Sequence, residues 1–178
     1  MNIFVLCTGR CGSTTFARAC AHIDNFTSGH ETRSRLVGEE RLAYPTRHIE
    51  ADNRLSWLLG RLDAQLGDSA HYVHLTRDPE AVAQSFVSRS AHGIMKGYRN
   101  AILMEAGNAD ELSVARDMID TVTSNIQAFL RDKTNSMHVR LETGGEDFAR
   151  FWEWIGARGN WEAAAAEWSI RHNATAQG

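Results

Sequence analysis

Short apolar runs that end in polar turns mark the first structural elements of this chain. Ile3-Phe4-Val5-Leu6 precedes a glycine-containing stretch, and residues 13 to about 22 then follow a helical pattern. This order predicts a strand, a glycine loop and a helix. Residues 72–76 predict a second strand, and Asp78 followed by Pro79 is typical of a helix N-terminus.

Helical periodicity dominates the rest of the chain, with shorter apolar runs between the helices. The further predicted elements are a short strand over 47–50, helices over 55–66 and 110–131, a strand over 137–141, and helices over 146–155 and 161 to about 170. Because the connections between strands are helical, the pattern favours an α/β fold with a parallel sheet. No boundary interrupts it, so we expect a single domain over residues 1–178.

The charge balance narrows the classes of function. The chain has 19 basic and 22 acidic side chains, a net charge of −3, and two lysines, Lys96 and Lys133, among its basic residues. A slightly acidic chain argues against a nucleic-acid partner and against a polybasic membrane binder, since both need a strong positive field. A small anionic ligand held by a few arginines fits this composition.

Cysteine usage and hydropathy indicate the compartment. The three cysteines, an odd number near the N-terminus, favour a reduced protein. No apolar run approaches the roughly 18 residues of a membrane span, and the first residues lack the basic stretch of a signal peptide. We therefore expect a cytoplasmic protein without a membrane partner.

The glycine loop after the first strand is a candidate phosphate site. Backbone N–H groups and the positive end of a helix dipole converge on such a loop, which suits a phosphate. Nucleotide hydrolases carry a lysine there, in GxxxxGK[ST], whereas the comparable cation here is Arg10. The loop therefore favours phosphate binding over metal-dependent NTP hydrolysis. A plain turn capped by Ser13 is the alternative interpretation.

Two motifs resemble those of sulfotransferases that use 3′-phosphoadenosine 5′-phosphosulfate (PAPS). Gly9-Arg10-Cys11-Gly12-Ser13-Thr14-Thr15 resembles that family's 5′-phosphosulfate loop, and Arg77 with Ser85, eight residues later, resembles its 3′-phosphate pair. The resemblance covers mainly residues 2–35 and 70–90. It implies that these nine residues bind PAPS without a metal ion. It also implies a P-loop-NTPase-like three-layer α/β/α fold of the sulfotransferase type.

A third segment supplies a candidate general base. Gly29-His30-Glu31-Thr32-Arg33 resembles the Gly-Glu-Glu-Thr-Arg segment of tyrosylprotein sulfotransferases, and Glu31 lies 21 residues after Arg10, as in that family. The resemblance implies that Glu31 takes the acceptor's proton and that Arg10 neutralises charge on the leaving phosphate. Cytosolic sulfotransferases use histidine instead, so His48 and His30 are alternative bases.

The sequence departs from the family's pattern at several positions. Cys11 replaces a loop serine, and Thr15 stands where cytosolic sulfotransferases carry a tryptophan. The lysine that many of them use beside the transferred group has no counterpart in the first 95 residues. Residues 158–161 and 171–173 are faint counterparts of the late phosphate-binding segment. Since the chain is short for the family, we expect an acceptor pocket that is shallow, trimmed or completed by a second copy in a homodimer.

The sequence therefore predicts a sulfotransferase that moves a sulfuryl group from PAPS to a hydroxyl or amine of a small-molecule or peptide acceptor. A nucleotide kinase with a modified phosphate loop and a non-catalytic binding module are the alternatives. Segments 36–53 and 91–109 match no motif and are expected to line the acceptor pocket.

Overall fold

A five-stranded sheet lies at the centre of the computed structural model, which describes residues 1–89, 93–170 and 172. The strands are β1 (Ile3–Leu6), β2 (Thr27–His30), β3 (His48–Ala51), β4 (His71–Thr76) and β5 (Ser136–Arg140). Their order across the sheet is β2-β3-β1-β4-β5, and each neighbouring pair is parallel. The predicted α/β fold with a central parallel sheet is confirmed.

Helices cover both faces of this sheet. They are α1 (Ser13–Cys20), α2 (Leu59–Leu66), α3 (Pro79–Val87), α4 (Gly93–Gly97), α5 (Glu111–Leu130), α6 (Gly144–Trp154) and α7 (Trp161–Ala166). The chain leaves β1 towards one edge of the sheet and β4 towards the other, so right-handed crossovers put α1 and α5 on opposite faces. Phe16 of α1 packs against Phe148 of α6, with ring centroids 5.4 Å apart, and Tyr72 of β4 packs against Phe129 of α5 at 4.9 Å. The fold therefore has three layers, α/β/α.

The apolar sequence of the central strand β1 follows from its position in the sheet. All four residues of β1 are fully buried, because β3 and β4 flank the strand and helices cover both of its sides. A strand buried on both faces has a continuous apolar run instead of an alternating pattern. The Ile3 to Leu6 run is therefore the sequence signature of a central parallel strand.

The longest helix, α5, was predicted to within one residue at each end. Asp110 caps it, accepting hydrogen bonds from the backbone N–H groups of Leu112 and Ser113, both at 3.0 Å. One face of α5 is buried and the other is exposed and polar. Among the helices of the described residues, none has the length and apolar character needed to cross a membrane.

Three local features differ from the sequence prediction. The edge strand β2 was not predicted, because Thr27-Ser28-Gly29-His30 is polar and pairs on one side only. The helix predicted over 55–66 is broken at Leu58, whose backbone (φ −121°, ψ 22°) is not helical; a 3₁₀ turn, Asn53–Trp57, precedes α2. A π-helical turn, Tyr98–Ile102, follows α4.

The two strand-to-helix junctions differ in how their helices begin. Asp78 caps α3 as predicted, accepting a hydrogen bond from the N–H of Ala81 at 2.8 Å. Before α1, however, the capping position is Gly12, with φ 90° and no side-chain cap. The predicted cap by Ser13 is therefore wrong, because the Ser13 hydroxyl is hydrogen-bonded to His30 instead.

Candidate active site

The charged residues predicted to form the site follow the carboxyl ends of neighbouring strands. Arg10 lies in the loop after β1, Glu31 follows β2 directly, and Arg77 follows β4 directly. Parallel strands end at the same edge of a sheet, so these segments share that edge. The chain leaves β1 and β4 in opposite directions, and the crevice between two such strand ends is where open α/β sheets bind ligands.

The loop between β1 and α1 has an unusual backbone. Gly9 (φ 91°), Arg10 (φ 60°) and Gly12 (φ 90°) all adopt left-handed conformations. A Cβ at Gly9 would lie 2.9 Å from Nδ2 of Asn53, and one at Gly12 would lie 2.5 Å from a methyl carbon of Leu141. Both positions therefore require glycine, and such turns direct backbone N–H groups into an anion-binding concavity at a helix N-terminus.

The two predicted phosphate motifs meet in the structure. The Nε of Arg10 donates to the hydroxyl of Ser85 at 2.8 Å, and Nη1 of Arg77 donates to the backbone carbonyl of Arg10 at 3.3 Å. These contacts join residues that are 75 and 67 positions apart in the chain. The glycine loop and the Arg77–Ser85 pair therefore form one site.

This site is cationic. Burial, followed by the positive charges of Arg89 and Arg77, lowers the pKa of Arg10 from its ordinary value. An anion placed among these arginines would relieve their repulsion. Sequence reasoning missed Arg89, although it lies four residues after Ser85, at the spacing that brings helical side chains to one face.

Two of the predicted loop residues are buried beneath the loop. Cys11 is 2% exposed, and its thiol contacts the hydroxyl of Thr8 at 3.1 Å and donates to the carbonyl of Gly9 at 3.2 Å. The hydrogen bond from Cys7 lowers the pKa of Cys11, burial raises it, and the net shift is downward. Thr15 is also buried. These two side chains support the loop, whereas Ser13 and Thr14 are half-buried.

Glu31 occupies a constrained position after β2. Its backbone is left-handed (φ 55°), and its N–H donates to the carbonyl of Ala51, extending the pairing with β3. Its Oε2 lies 2.6 Å from Nη1 of Arg54, and both side chains are partly exposed. A left-handed conformation is costly for a residue with a side chain, and such strain clusters at functional sites. Arg10 has the same left-handed backbone conformation as Glu31.

The neighbouring carboxylate, Glu50, is fully buried and serves a different purpose. It accepts hydrogen bonds from the backbone N–H and the hydroxyl of Thr32, at 2.6 and 2.7 Å, and lies 2.9 Å from Nε2 of His48. Burial raises the pKa of Glu50, but the hydrogen bonds from His48 and Thr32 outweigh it and the net pKa is lowered. A Cβ at Gly29 would lie 2.8 Å from the Glu50 carboxylate, which explains the glycine there.

The two histidines proposed as alternative bases have different surroundings. His48 is buried, with Nε2 at Glu50 and Nδ1 2.8 Å from the hydroxyl of Thr27. Because both ring nitrogens are engaged, this geometry favours a structural role for His48 over a role as a base. His30 is exposed, and its Nε2 lies 3.0 Å from the hydroxyl of Ser13, the first residue of α1 after the glycine loop.

The late segment that resembled a phosphate site lies far from the loop. The carbonyl of Arg158 accepts from the N–H of Asp24 at 2.6 Å, and Gly159 forms a bridge with Ile23, both after the C-terminus of α1. The eight residues of α1 put about 12 Å between that end and the loop. The other segment includes Arg171 and Asn173, which lie outside the described residues.

A cavity of about 510 Å³ opens beside the Glu31–Arg54 pair. It is mostly apolar, and both segments without a recognised motif contribute to it, through Arg41 and through Ile94 to Ile102. A second cleft, of about 530 Å³, is lined by Arg77, His74 and residues of β5. Both segments of the first cavity were expected from the sequence to line an acceptor pocket, but sequence reasoning did not identify the other lining residues, such as Arg54 and Trp57, which come from a separate part of the chain.

Comparison with protein-family models found no match, and comparison with curated proteins found none either. Among solved structures, the chain is similar to a sulfotransferase domain from the curacin biosynthetic pathway, with a TM-score of 0.65 and 16% sequence identity. The match covers 90% of this chain and 75% of that one. The chain has a sulfotransferase-like fold. At this identity the likeness concerns the fold, and any argument about chemistry depends on the site residues.

Proposed function

We propose that this chain is a sulfotransferase that takes a sulfuryl group from PAPS and transfers it to a hydroxyl or amine. The contact between Arg10 and Ser85, at 2.8 Å, carries the proposal. It joins a glycine loop suited to one phosphate to Ser85, and the second cation, Arg77, donates to the carbonyl of Arg10 in the same loop. PAPS has phosphates at both ends of its nucleoside, so its binding needs two anion sites side by side.

The residues present fit such a donor. The loop N–H groups, Arg10 and the Ser13 hydroxyl are suited to the 5′-phosphate end. Arg77 and Ser85 are suited to the 3′-phosphate, because the Ser85 hydroxyl accepts from Arg10 and still has its own proton to donate. Arg89 adds positive charge to the same region. The described cations near the loop are arginines, which bind phosphate bidentately.

The chemistry follows from these positions. When bound, the donor supplies an SO₃ group, whose bond to the 5′-phosphate oxygen breaks as a bond to the acceptor oxygen or nitrogen forms. Arg10, always protonated, stabilises the charge that develops on the leaving oxygen. Glu31 takes the acceptor's proton, a contribution typically worth about 10²- to 10⁴-fold in rate. Arg54 orients the Glu31 carboxylate through their ion pair.

His30 is the alternative base in this scheme, because it lies beside Ser13 of the loop. A cytoplasmic location, a homodimer and a requirement for no metal ion stay predictions from the sequence.

Calorimetric titration tests the donor site. We expect adenosine 3′,5′-bisphosphate to bind more tightly than ATP with magnesium, because only the bisphosphate has a phosphate for each anion site. The Arg77→Ala variant should lose about tenfold to a hundredfold in affinity for the bisphosphate, as expected for a charge-assisted hydrogen bond. Its affinity for adenosine 5′-monophosphate should be unchanged.

The matched control is Arg18→Ala, which removes an exposed arginine from the last turn of α1. It should bind both nucleotides as the wild type does. A preference for ATP with magnesium would favour a nucleotide kinase. Equal losses of Arg77→Ala for both nucleotides would contradict the 3′-phosphate assignment, and tight bisphosphate binding without transfer to alcohols, phenols or amines would favour a non-catalytic binding module.

A further inference from the structure

The apolar cavity is connected to the proposed base and to the phosphate loop by one short segment, the 3₁₀ turn Asn53–Trp57. Asn53 lies against the loop, since a Cβ at Gly9 would be 2.9 Å from its Nδ2. The next residue, Arg54, pairs with Glu31 at 2.6 Å and also lines the cavity. A molecule in this cavity therefore contacts Arg54, which pairs with the proposed base, and the preceding residue of the chain contacts the loop.

The cavity has the size and lining of a small-molecule site. Its volume of about 510 Å³ is within the range of about 300 to 1,000 Å³ typical of ligand pockets. Trp57 and Tyr98 contribute aromatic surface, with ring centroids 6.0 Å apart, and Leu58, Ile94 and Ile102 contribute aliphatic surface. The π-helical turn Tyr98–Ile102 forms part of this wall, and π-helical turns often occur at functional sites.

The charged residues of the lining are already neutralised. Arg41 pairs with Asp52 at 2.6 Å, and both side chains are buried. Arg54 pairs with Glu31 at the same distance. Each arginine that lines the cavity therefore has a carboxylate partner, and this part of the site lacks the excess positive charge needed to select an acidic acceptor.

We propose that this cavity is the acceptor site and that it takes an uncharged alcohol or phenol with an apolar body, not an acidic tyrosine peptide. The inference rests on the proposed function, because Glu31 is its base. The apolar body lies against Trp57 and Ile94, and the hydroxyl points to Glu31. The hydroxyl proton passes to Glu31 as the acceptor oxygen bonds to sulfur and the bond from sulfur to the 5′-phosphate oxygen breaks.

A series of 4-alkylphenols, from 4-methylphenol to 4-pentylphenol, tests the cavity. Each is titrated into the full chain, with and without saturating adenosine 3′,5′-bisphosphate, and transfer from PAPS is measured in parallel. We expect affinity to rise roughly fourfold for each added methylene until the cavity is filled, since each buried methylene removes apolar surface from water. A tyrosine peptide flanked by glutamates should bind more weakly than 4-pentylphenol.

Two substitutions place a carboxylate in the cavity, and a third is their control. Ile94→Asp and Ile102→Asp change lining residues, the second at a side chain that is 59% exposed and therefore tolerant of change. Met104→Asp changes an 84% exposed residue just beyond the lining. We expect Ile94→Asp to lower 4-pentylphenol affinity about tenfold, because a carboxylate in an apolar site is costly. Ile102→Asp should lower it less, and Met104→Asp should leave it unchanged.

The bisphosphate titration separates this inference from the proposed function. If the chain binds the bisphosphate, three results would overturn the acceptor assignment alone. They are equal affinity for all the phenols, unchanged phenol binding by both cavity variants, and tighter binding of the acidic peptide than of 4-pentylphenol. Graded phenol binding that Ile94→Asp weakens, without bisphosphate binding, would support the apolar site and contradict the proposed donor. Failure of both ligands would overturn both proposals.

Discussion

The proposed donor side and the proposed acceptor side of this site are built in different ways. The donor side comprises the phosphate loop, residues 9–15, with Arg77 and Ser85; it is cationic and lies at the ends of two adjacent central strands. The acceptor side comprises Glu31, Arg54 and the apolar cavity beside them. Its residues come from the segments that follow β2 and β3, and from α4 with the π-helical turn after it.

This difference follows from the ligand that each side is proposed to recognise. A phosphate can be bound by N–H groups of consecutive residues and a few arginines, so a short sequence motif can encode the site. An apolar body is bound by the surface of side chains that pack from separate segments. The donor side can therefore be identified from local spacing, whereas the acceptor side exists only after the chain has folded.

The largest expected effect comes from a substitution on the proposed acceptor side that leaves the proposed donor side intact. The Glu31→Gln variant keeps the shape of the side chain but cannot take a proton. We expect its turnover to fall about 10²- to 10⁴-fold, with bisphosphate affinity nearly unchanged, as measured by PAPS-dependent transfer and by calorimetry. Glu39→Gln, at an exposed glutamate, is the control. Unchanged turnover of Glu31→Gln would remove Glu31 from the mechanism and leave His30 as the candidate base.

The next largest effect comes from a substitution that destabilises the glycine loop. Gly12→Ala forces a side chain into a left-handed conformation against Leu141, so we expect a loss of about 2 kcal/mol in the free energy of unfolding and weaker bisphosphate binding. Gly60→Ala is the contrast, because Gly60 is helical and a Cβ there meets nothing within 4 Å. It should stabilise the chain by about 0.5 to 1 kcal/mol. Equal urea midpoints for the two variants would contradict the strained-loop interpretation.

A smaller change sharpens the description of the donor side. Ser85→Ala removes the hydroxyl that accepts from Arg10, and we expect bisphosphate affinity to fall about tenfold, the effect of one hydrogen bond to a charged group. Ser88→Ala, one turn later, removes a hydroxyl that donates to the carbonyl of Ser85 and should change affinity little. If both variants bind the bisphosphate as the wild type does, Ser85 has no part in the phosphate site.

The smallest effect concerns the strand below the donor side. Burial, followed by the charge of His138, lowers the pKa of His74 on β4 to about 4, from 6.5. The unfolded state therefore binds more protons than the folded state below pH 6.5, and stability is lost as the pH falls from 6.5 towards 4. Between pH 7 and pH 5.5 we expect this residue to lower the free energy of unfolding by about 1.2 kcal/mol.

Urea unfolding of the wild type and of His74→Gln at both pH values measures this contribution. The variant should lose less stability on acidification, whatever its stability at pH 7. Parallel losses in the two proteins would show that His74 titrates normally in the folded state.

Most of the fold was accessible from the sequence, and the exceptions have physical causes. β1 and α5 were predicted closely, because a continuous apolar run and a long helical period are local signals. β2 was missed because it is an edge strand with polar residues. The break at Leu58 follows from packing of the 3₁₀ turn before α2, which a run of leucines at helical spacing does not reveal.

A smaller part of the candidate site could be predicted from the sequence. The loop with Arg10, and Arg77 with Ser85, were identified as separate motifs, and the structure joins them through the hydrogen bond from Arg10 to Ser85. Sequence reasoning did not find Arg54, whose role depends on its distance to Glu31. Sequence reasoning also kept His48 as a candidate base, because the contacts of His48 with Glu50 and Thr27 are visible only in three dimensions.

The sequence by itself determined the strand-loop-helix units, the arginine character of the proposed phosphate site and the central parallel sheet. These depend on spacing and residue type along a few consecutive positions. Only the tertiary structure decided which carboxylate is accessible, with Glu31 partly exposed and Glu50 fully buried, and which segments enclose the apolar cavity. Those properties depend on contacts between residues far apart in the chain, and burial is set by the packing of the whole fold.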